Sequence, residues 1–301
     1  MNKVVEVNNL TKYFGKKKVL DDISFSLEEG QILGFIGPNG AGKTTTIKLI
    51  LGLQRINSGS VSINGYDIKK DFKKAISRVG AIVESPDLYM YISGMDNLKL
   101  IANMYPAVSN ERILEVVGLV GLENRINDKV SKYSLGMRQR LGIAASLIHN
   151  PNVLILDEPT NGLDPEGIKE LRDLLKKLVK KEKVGVLISS HNLAELESFC
   201  TDVCLIKNGK IITTMSMEEI KKVDRTNYKI KLDSTDDLED ILHEDDAILD
   251  DKFIKIYVDE EEIPIIINKL LKKKKKIYEI KEETLSLEDA FISKTGGNVI
   301  D

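Results

Sequence analysis

Gly37-Pro38-Asn39-Gly40-Ala41-Gly42-Lys43-Thr44 meets the pattern G-x-x-x-x-G-K-[ST] at every fixed position. Glycines at those places let the backbone curl until several N–H groups face one anion. A helix starting there adds the positive end of its dipole. Lys43 has the reach for the β- and γ-phosphates of a nucleotide, and the Thr44 hydroxyl is a hard donor for Mg²⁺. The flanks agree. Residues 31–36 are a short apolar run that predicts a strand, and Ile47, Ile50 and Leu51 have the spacing of one helix face over 43–51. A chain of this length meets the pattern by chance only about 1% of the time. The loop, with Thr45 beside it, is therefore expected to hold a nucleotide's phosphates.

Outward from the loop, Val153-Leu154-Ile155-Leu156-Asp157-Glu158 is the second informative stretch. Four consecutive apolar residues predict a strand buried on both faces. Asp157 then stands at its end, where a carboxylate would hold Mg²⁺. Glu158 would polarise water for attack on the γ-phosphate as a general base. Two acids after an apolar run can also be a strand leaving the core; downstream of a phosphate loop they read as catalytic. A strand at 60–63, helical spacing over about 93–150, a helix over 166–181 and a strand at 184–188 complete the pattern. This strand–helix alternation predicts an α/β fold, a mainly parallel sheet covered by helices.

Composition narrows the class. At 301 residues, 42% hydrophobic and 30% charged, the chain is globular, with one large domain or two ordinary ones. A net charge of −3 lacks the basic excess of nucleic-acid binders, so no nucleic-acid partner is expected. No run approaches the roughly 18 apolar residues of a membrane span. Glu6 falls where a signal peptide would be apolar, so the expected location is the cytosol. Cys200 and Cys204 lack the partners of a zinc site and read as small buried residues beside a strand at 203–207. Near residue 216 the character changes. Short apolar segments at 228–232, 253–258 and 277–280 alternate with acidic and lysine-rich helical stretches, which predicts a small α+β domain over 216–301. The run Lys272-Lys273-Lys274-Lys275-Lys276 reads as a solvated helix end or turn, with attraction to anionic lipid as the alternative.

Between the two motifs lies Tyr133-Ser134-Leu135-Gly136-Met137-Arg138-Gln139-Arg140-Leu141. It resembles the signature helix of ATP-binding-cassette proteins, usually L-S-G-G-Q followed by Q-R or R-Q-R. Ser134, Gly136 and Gln139-Arg140-Leu141 match; Tyr133, Leu135 and Met137 depart from it. Ser134 as an N-cap would set its hydroxyl beside free helix N–H groups, an anion site. In the family that site binds the γ-phosphate held by the opposite subunit. Thr160-Asn161-Gly162-Leu163-Asp164-Pro165 resembles the loop through which the two sites communicate, and His191 resembles the switch histidine that contacts the γ-phosphate. Tyr13, just ahead of Gly15, resembles the aromatic that stacks on adenine; the alternative is packing on the sheet, with Phe14 its neighbour.

These motifs run in family order over about residues 1–215. The resemblance implies a P-loop NTPase cassette with a mainly parallel sheet, an antiparallel β subdomain and a helical subdomain over about 93–150. It implies ATP and Mg²⁺ as cofactors, ATP hydrolysis, a second ATP-binding subunit (a homodimer), and a separately encoded membrane permease docking near 86–97. The protein would then be peripheral on the inner face of the cell membrane. Glu84 stands where the family normally has a glutamine that touches Mg²⁺ and the membrane partner. With Tyr133-Ser134-Leu135-Gly136-Met137 and the tail over 285–297, it resembles the bacitracin-resistance and lantibiotic-immunity exporters, implying export of a peptide antibiotic, lantibiotic or drug. The alternative is a cassette ATPase acting on a macromolecular complex such as a ribosome or DNA. One phosphate loop and a short interval between Thr44 and Ser134 count against it.

Overall fold

A computed structural model describes residues 2–105, 107–192, 195–196, 198–217, 219, 226–243 and 246–283. The chain divides into two compact units, 1–217 and 218–301. The first opens with a long hairpin, β1 (Lys3–Phe14) and β2 (Lys17–Glu28), turned at Gly15 with φ +57°. β3 (Ile32–Ile36), α1 (Lys43–Ile50), β4 (Ser58–Ile63), β5 (Tyr66–Asp67), α2 (Phe72–Ile76) and β6 (Val79–Ile82) follow. Next come α3 (Gly94–Ala102), α4 (Asn110–Leu119) and α5 (Leu135–Leu147). The unit closes with β7 (Val153–Asp157), α6 (Pro165–Glu182), β8 (Gly185–Ser190), β9 (Asp202–Lys207) and β10 (Lys210–Ser216).

Two sheets result. One is antiparallel in the order β2-β1-β4-β5; the other, in the order β10-β9-β3-β8-β7-β6, is parallel except for β10. The central parallel strands are largely apolar because both of their faces are covered, and every residue of β3, β7 and β8 is buried, including the polar residues at the ends of β7 and β8. A single core joins the sheets. Val5, Leu10 and Ile63 from the antiparallel sheet meet Phe35, Ile155 and Leu187 from the parallel one, with Ile47 and Ile50 of α1 among them. This is the α/β architecture expected from the sequence. The helices over 94–147 begin at serines. Ser93, Ser109 and Ser134 each accept a hydrogen bond from the backbone N–H three residues on, satisfying one donor that the helix start leaves free. Cys200 and Cys204 are buried free thiols whose pKa burial raises, Cys204 to about 12.

The second unit has its own core. β11 (Thr226–Leu232), β12 (Ala247–Asp250), β13 (Phe253–Val258) and β14 (Ile277–Glu283) form an antiparallel sheet in the order β12-β13-β11-β14. Helix α7 (Ile263–Lys272) covers one face: Ile266 and Leu270 pack with Ile230, Leu232, Ile254 and Ile256. The three apolar segments read from the sequence are strands, and β12 is an additional one. Its exposed Leu249 and short length gave no alternation to read. The lysine run is partly structural. Lys273 binds the Asp240 carboxylate and the Asp237 carbonyl, and Lys275 donates to Ser234 Oγ at 2.8 Å, tying the loop after β11 to the end of α7. The tail over 285–297 lies outside the described residues.

Candidate active site

The phosphate loop bridges the end of β3 and the start of α1. Gly42 is the N-cap of α1 at φ +113°, in the left-handed region where a side chain is strained, and a Cβ there would come within 2.5 Å of Leu20 Cδ2. At Gly37 a Cβ would meet the Ile206 carbonyl at 2.2 Å. The loop therefore depends on these glycines for its path. No side chain caps α1, so its first N–H groups remain available to an anion. Lys43 is 6% exposed and its ammonium donates to the Gly37 carbonyl at 2.6 Å and to the Pro38 carbonyl at 3.3 Å. The same ammonium lies 3.2 Å from Glu158 Oε1.

Two neighbouring strands bring the acids to that lysine. β7 ends at the buried Asp157, and Glu158 follows with φ +48°, a left-handed turn that costs a non-glycine residue roughly 1–2 kcal/mol. Ser189, paired with Asp157 across β7 and β8, locks both. Its hydroxyl donates to Asp157 Oδ1 at 2.6 Å and accepts from the Glu158 N–H at 2.9 Å. His191 Nδ1 lies 2.8 Å from Glu158 Oε2. A carboxylate only accepts, so Nδ1 is the donor in this contact. Glu158 is thus gripped from both sides, by Lys43 and by His191.

Lys43, Glu158 and His191 share a cleft of about 510 Å³ whose wall includes Phe14, Lys17, Asn39, Gly40, Gly42, Thr44, Thr45 and Asn161, while the buried Asp157 lies behind that wall. Gly37, Pro38 and Ala41 complete the loop behind it. Thr44 and Asp157 offer hydroxyl and carboxylate oxygens, donors that suit Mg²⁺ rather than a nitrogen- or sulfur-seeking metal. Among the described residues no three His, Cys, Asp or Glu side chains cluster to hold a metal unaided.

Ser134, Gly136 and Asp164 lie elsewhere. They line a separate cleft of about 390 Å³ with Leu135, Arg140 and Gly162. Ser134 caps α5, accepting from Met137 N at 3.2 Å, and Asp164 caps α6, accepting from Gly167 N at 2.9 Å with Pro165 in the first turn. Two helix N-termini therefore border this cleft. The stretch 160–164 runs from one cleft to the other, with Asn161 on the phosphate side and Gly162 to Asp164 on the signature side.

Tyr13 and Glu84 also stand apart from the phosphate cleft. Tyr13 is not on its wall; Phe14 is. Successive strand residues point to opposite faces. Tyr13 pairs with Lys18, whose ammonium lies 5.7 Å from its ring centre, while Phe14 pairs with the cleft residue Lys17. Glu84 does not line the cleft either. Its carboxylate meets Lys48 of α1 at 2.7 Å, which holds its pKa below the usual carboxylate value. Sequence reading missed Phe14, Lys17 and Ser189. The turn at Gly15 could have marked the first two; a lone serine in a buried strand offers little signal.

Comparison with known proteins follows the same line. The family model described as ABC transporter matches residues 20–161. The chain is 45% identical over 296 residues to an uncharacterized ABC transporter ATP-binding protein, YhcH, of Bacillus subtilis, covering 98% of this chain and 97% of that protein. It is 36% identical to the bacitracin transport ATP-binding protein BcrA of Bacillus licheniformis, over the whole of both. It is 43% identical to the lantibiotic transport ATP-binding protein SrtF of Streptococcus pyogenes, covering 69% of this chain and 89% of that one. Among solved structures, a dimeric bacterial ABC transporter cassette, MJ0796, superposes with a TM-score of 0.63 at 27% identity, covering 71% of this chain and 98% of that one.

Proposed function

The chain belongs to the ABC transporter family as an ATP-binding, ATP-hydrolysing subunit, and from that premise we propose that it powers export of a peptide antibiotic through a separate membrane permease. The observation that carries the catalytic part is the convergence of Lys43, Glu158 and His191 within 3.2 Å contacts in the cleft floored by the phosphate loop. The relatives named for bacitracin and lantibiotic transport support the substrate class. No helix among the described residues is long and apolar enough to cross a membrane, so a permease is sought in another chain. The location proposed is the inner face of the cell membrane, with residues 86–97 docking the permease.

In this reading the backbone N–H groups of 40–44 and the Lys43 ammonium hold the β- and γ-phosphates, and Phe14 faces the base. Mg²⁺, held by Thr44 and Asp157, would neutralise charge on those phosphates. Ser189 fixes the angle between Asp157 and Glu158. The Glu158 carboxylate accepts a proton from the attacking water, and His191 orients that carboxylate through Nδ1–H. Ser134 and Asp164 open on a different cleft and would complete the site of a second copy, as the paired helix N-termini meet its γ-phosphate. Two identical cassettes thus close on two ATP molecules, and hydrolysis lets them part.

Glu158→Gln keeps the shape and the Lys43 contact while removing the base. The expected outcome is unchanged ATP binding, turnover reduced at least about 100-fold, and a dimer trapped by ATP on gel filtration. Normal turnover in that variant would remove Glu158 from the role. Recovery of a multi-span protein with the tagged chain from detergent-solubilised membranes supports transport. Recovery of ribosomes or DNA instead would overturn it.

A further inference from the structure

Strand β14 ends the sheet of the second unit, and among the described residues no strand lies beside its outer edge. Such an edge presents N–H and C=O groups at the spacing another strand needs. β14 is seven residues long and exposed at Tyr278, Glu279, Ile280 and Lys281. Its pairing with β11 is regular from Glu279 onward. Ile248, Ile254, Ile230 and Ile280 are partners in turn across β12, β13, β11 and β14, an apolar row over the whole sheet. Ile254 and Ile230 in its middle are fully buried, whereas Ile280 at the edge is 41% exposed. On the other face Lys281 stands opposite Lys229, a like charge, and it forms no ion pair among the described residues.

We propose that a second copy of this chain docks on this edge, the two β14 strands pairing antiparallel about a two-fold axis at Ile280. Paired residues must point to the same face, so the axis passes through a residue rather than between two. Centred on Glu279 or on Lys281, the pairing would set two like charges directly opposite, which destabilises a ladder. Centred on Ile280, each Glu279 faces Lys281 of the second copy, supplying the counter-charge that Lys229 does not. The isoleucine row then continues from one sheet into the next, and Ile280 is covered by its own counterpart. The opposite edge, β12, offers less: four residues ending in Asp250, with Asp251 following. The β14 contact needs no nucleotide. It also keeps each cassette at a high effective concentration near the other between cycles. That consequence rests on the ATP-driven closure proposed above; the pairing itself does not.

The test is sedimentation velocity of the full chain without nucleotide or Mg²⁺, for wild type, Glu279→Lys, Lys281→Glu and the double exchange. One strand pair buries less than a standard interface, so a reversible dimer with a dissociation constant of about 10–100 µM is expected for wild type. Each single exchange sets like charges opposite at two symmetric places and is expected to weaken the dimer about tenfold. The double exchange restores both pairs and is expected to return within about threefold of wild type. Lys281→Glu gives Lys229 an opposite charge, so its thermal midpoint is not expected to fall and lost dimer cannot be blamed on lost fold. A wild type that stays monomeric up to about 200 µM would overturn the proposal. So would single variants that dimerise as tightly as wild type, since the contact would then lie elsewhere. A double exchange that stays monomeric with a wild-type thermal midpoint would overturn the register at Ile280 and the proposal with it.

Discussion

Phe14 and Tyr13 are adjacent aromatics with different surroundings, and the difference is measurable. Base–aromatic stacking is worth about 1–3 kcal/mol, so Phe14→Ala is expected to weaken ATP-analogue binding by about 5- to 150-fold. Tyr13→Ala, off the cleft wall, is expected to stay within about twofold. Another residue-scale prediction concerns His149, which stacks on Tyr105 with ring centres 4.5 Å apart and lies 3.1 Å from the Val79 carbonyl through Nε2. A carbonyl only accepts, so Nε2 carries the proton. Burial lowers the pKa of His149, Arg112 adds to that, and the Val79 bond opposes it without reversing it. As pH falls through the ordinary histidine value of 6.5, the unfolded chain takes up a proton that the folded one resists, so this contribution to stability is lost on the acid side. His149→Phe keeps the stack. It is expected to shrink the drop in thermal midpoint between about pH 7.5 and pH 5.5, compared with wild type.

At the scale of elements, two helical glycines predict opposite outcomes. A Cβ on Gly142 of α5 would lie 2.4 Å from Pro86 Cβ, whereas one on Gly118 of α4 would find only Glu123 Oε1, at 3.6 Å. Alanine in a helix interior gains roughly 0.5–1 kcal/mol over glycine. Gly118→Ala is therefore expected to raise the thermal midpoint. Gly142→Ala is expected to lower it, because overpacking costs about 1–3 kcal/mol. The close approach also explains how the signature helix bears on the chain just after Glu84. Helix starts were legible here, since Ser134 and the Asp164-Pro165 pair are strong N-terminal signals. Strand β12 was not, because a short edge strand with exposed apolar residues has no buried face to impose alternation.

Over the whole molecule, two units with separate cores predict separable folding. Residues 1–217 hold every residue of both clefts, so this segment alone is expected to bind the ATP analogue with affinity within about twofold of the full chain, read by fluorescence titration. What the sequence determined by itself was what depends on local chemistry and period. The glycine pattern set the phosphate loop, the unbroken apolar run set a doubly covered strand, and the two acids stood at its end. What tertiary structure alone decided was which side chains meet. Phe14 rather than Tyr13 lines the cleft because successive strand residues point to opposite faces. Ser189 joins Asp157 to Glu158 because β8 pairs with β7 across a separation of 32 residues. Lys48 captures Glu84 because α1 packs over strand ends that are distant in the chain. Contacts between residues remote in sequence depend on register and packing, which no local pattern encodes.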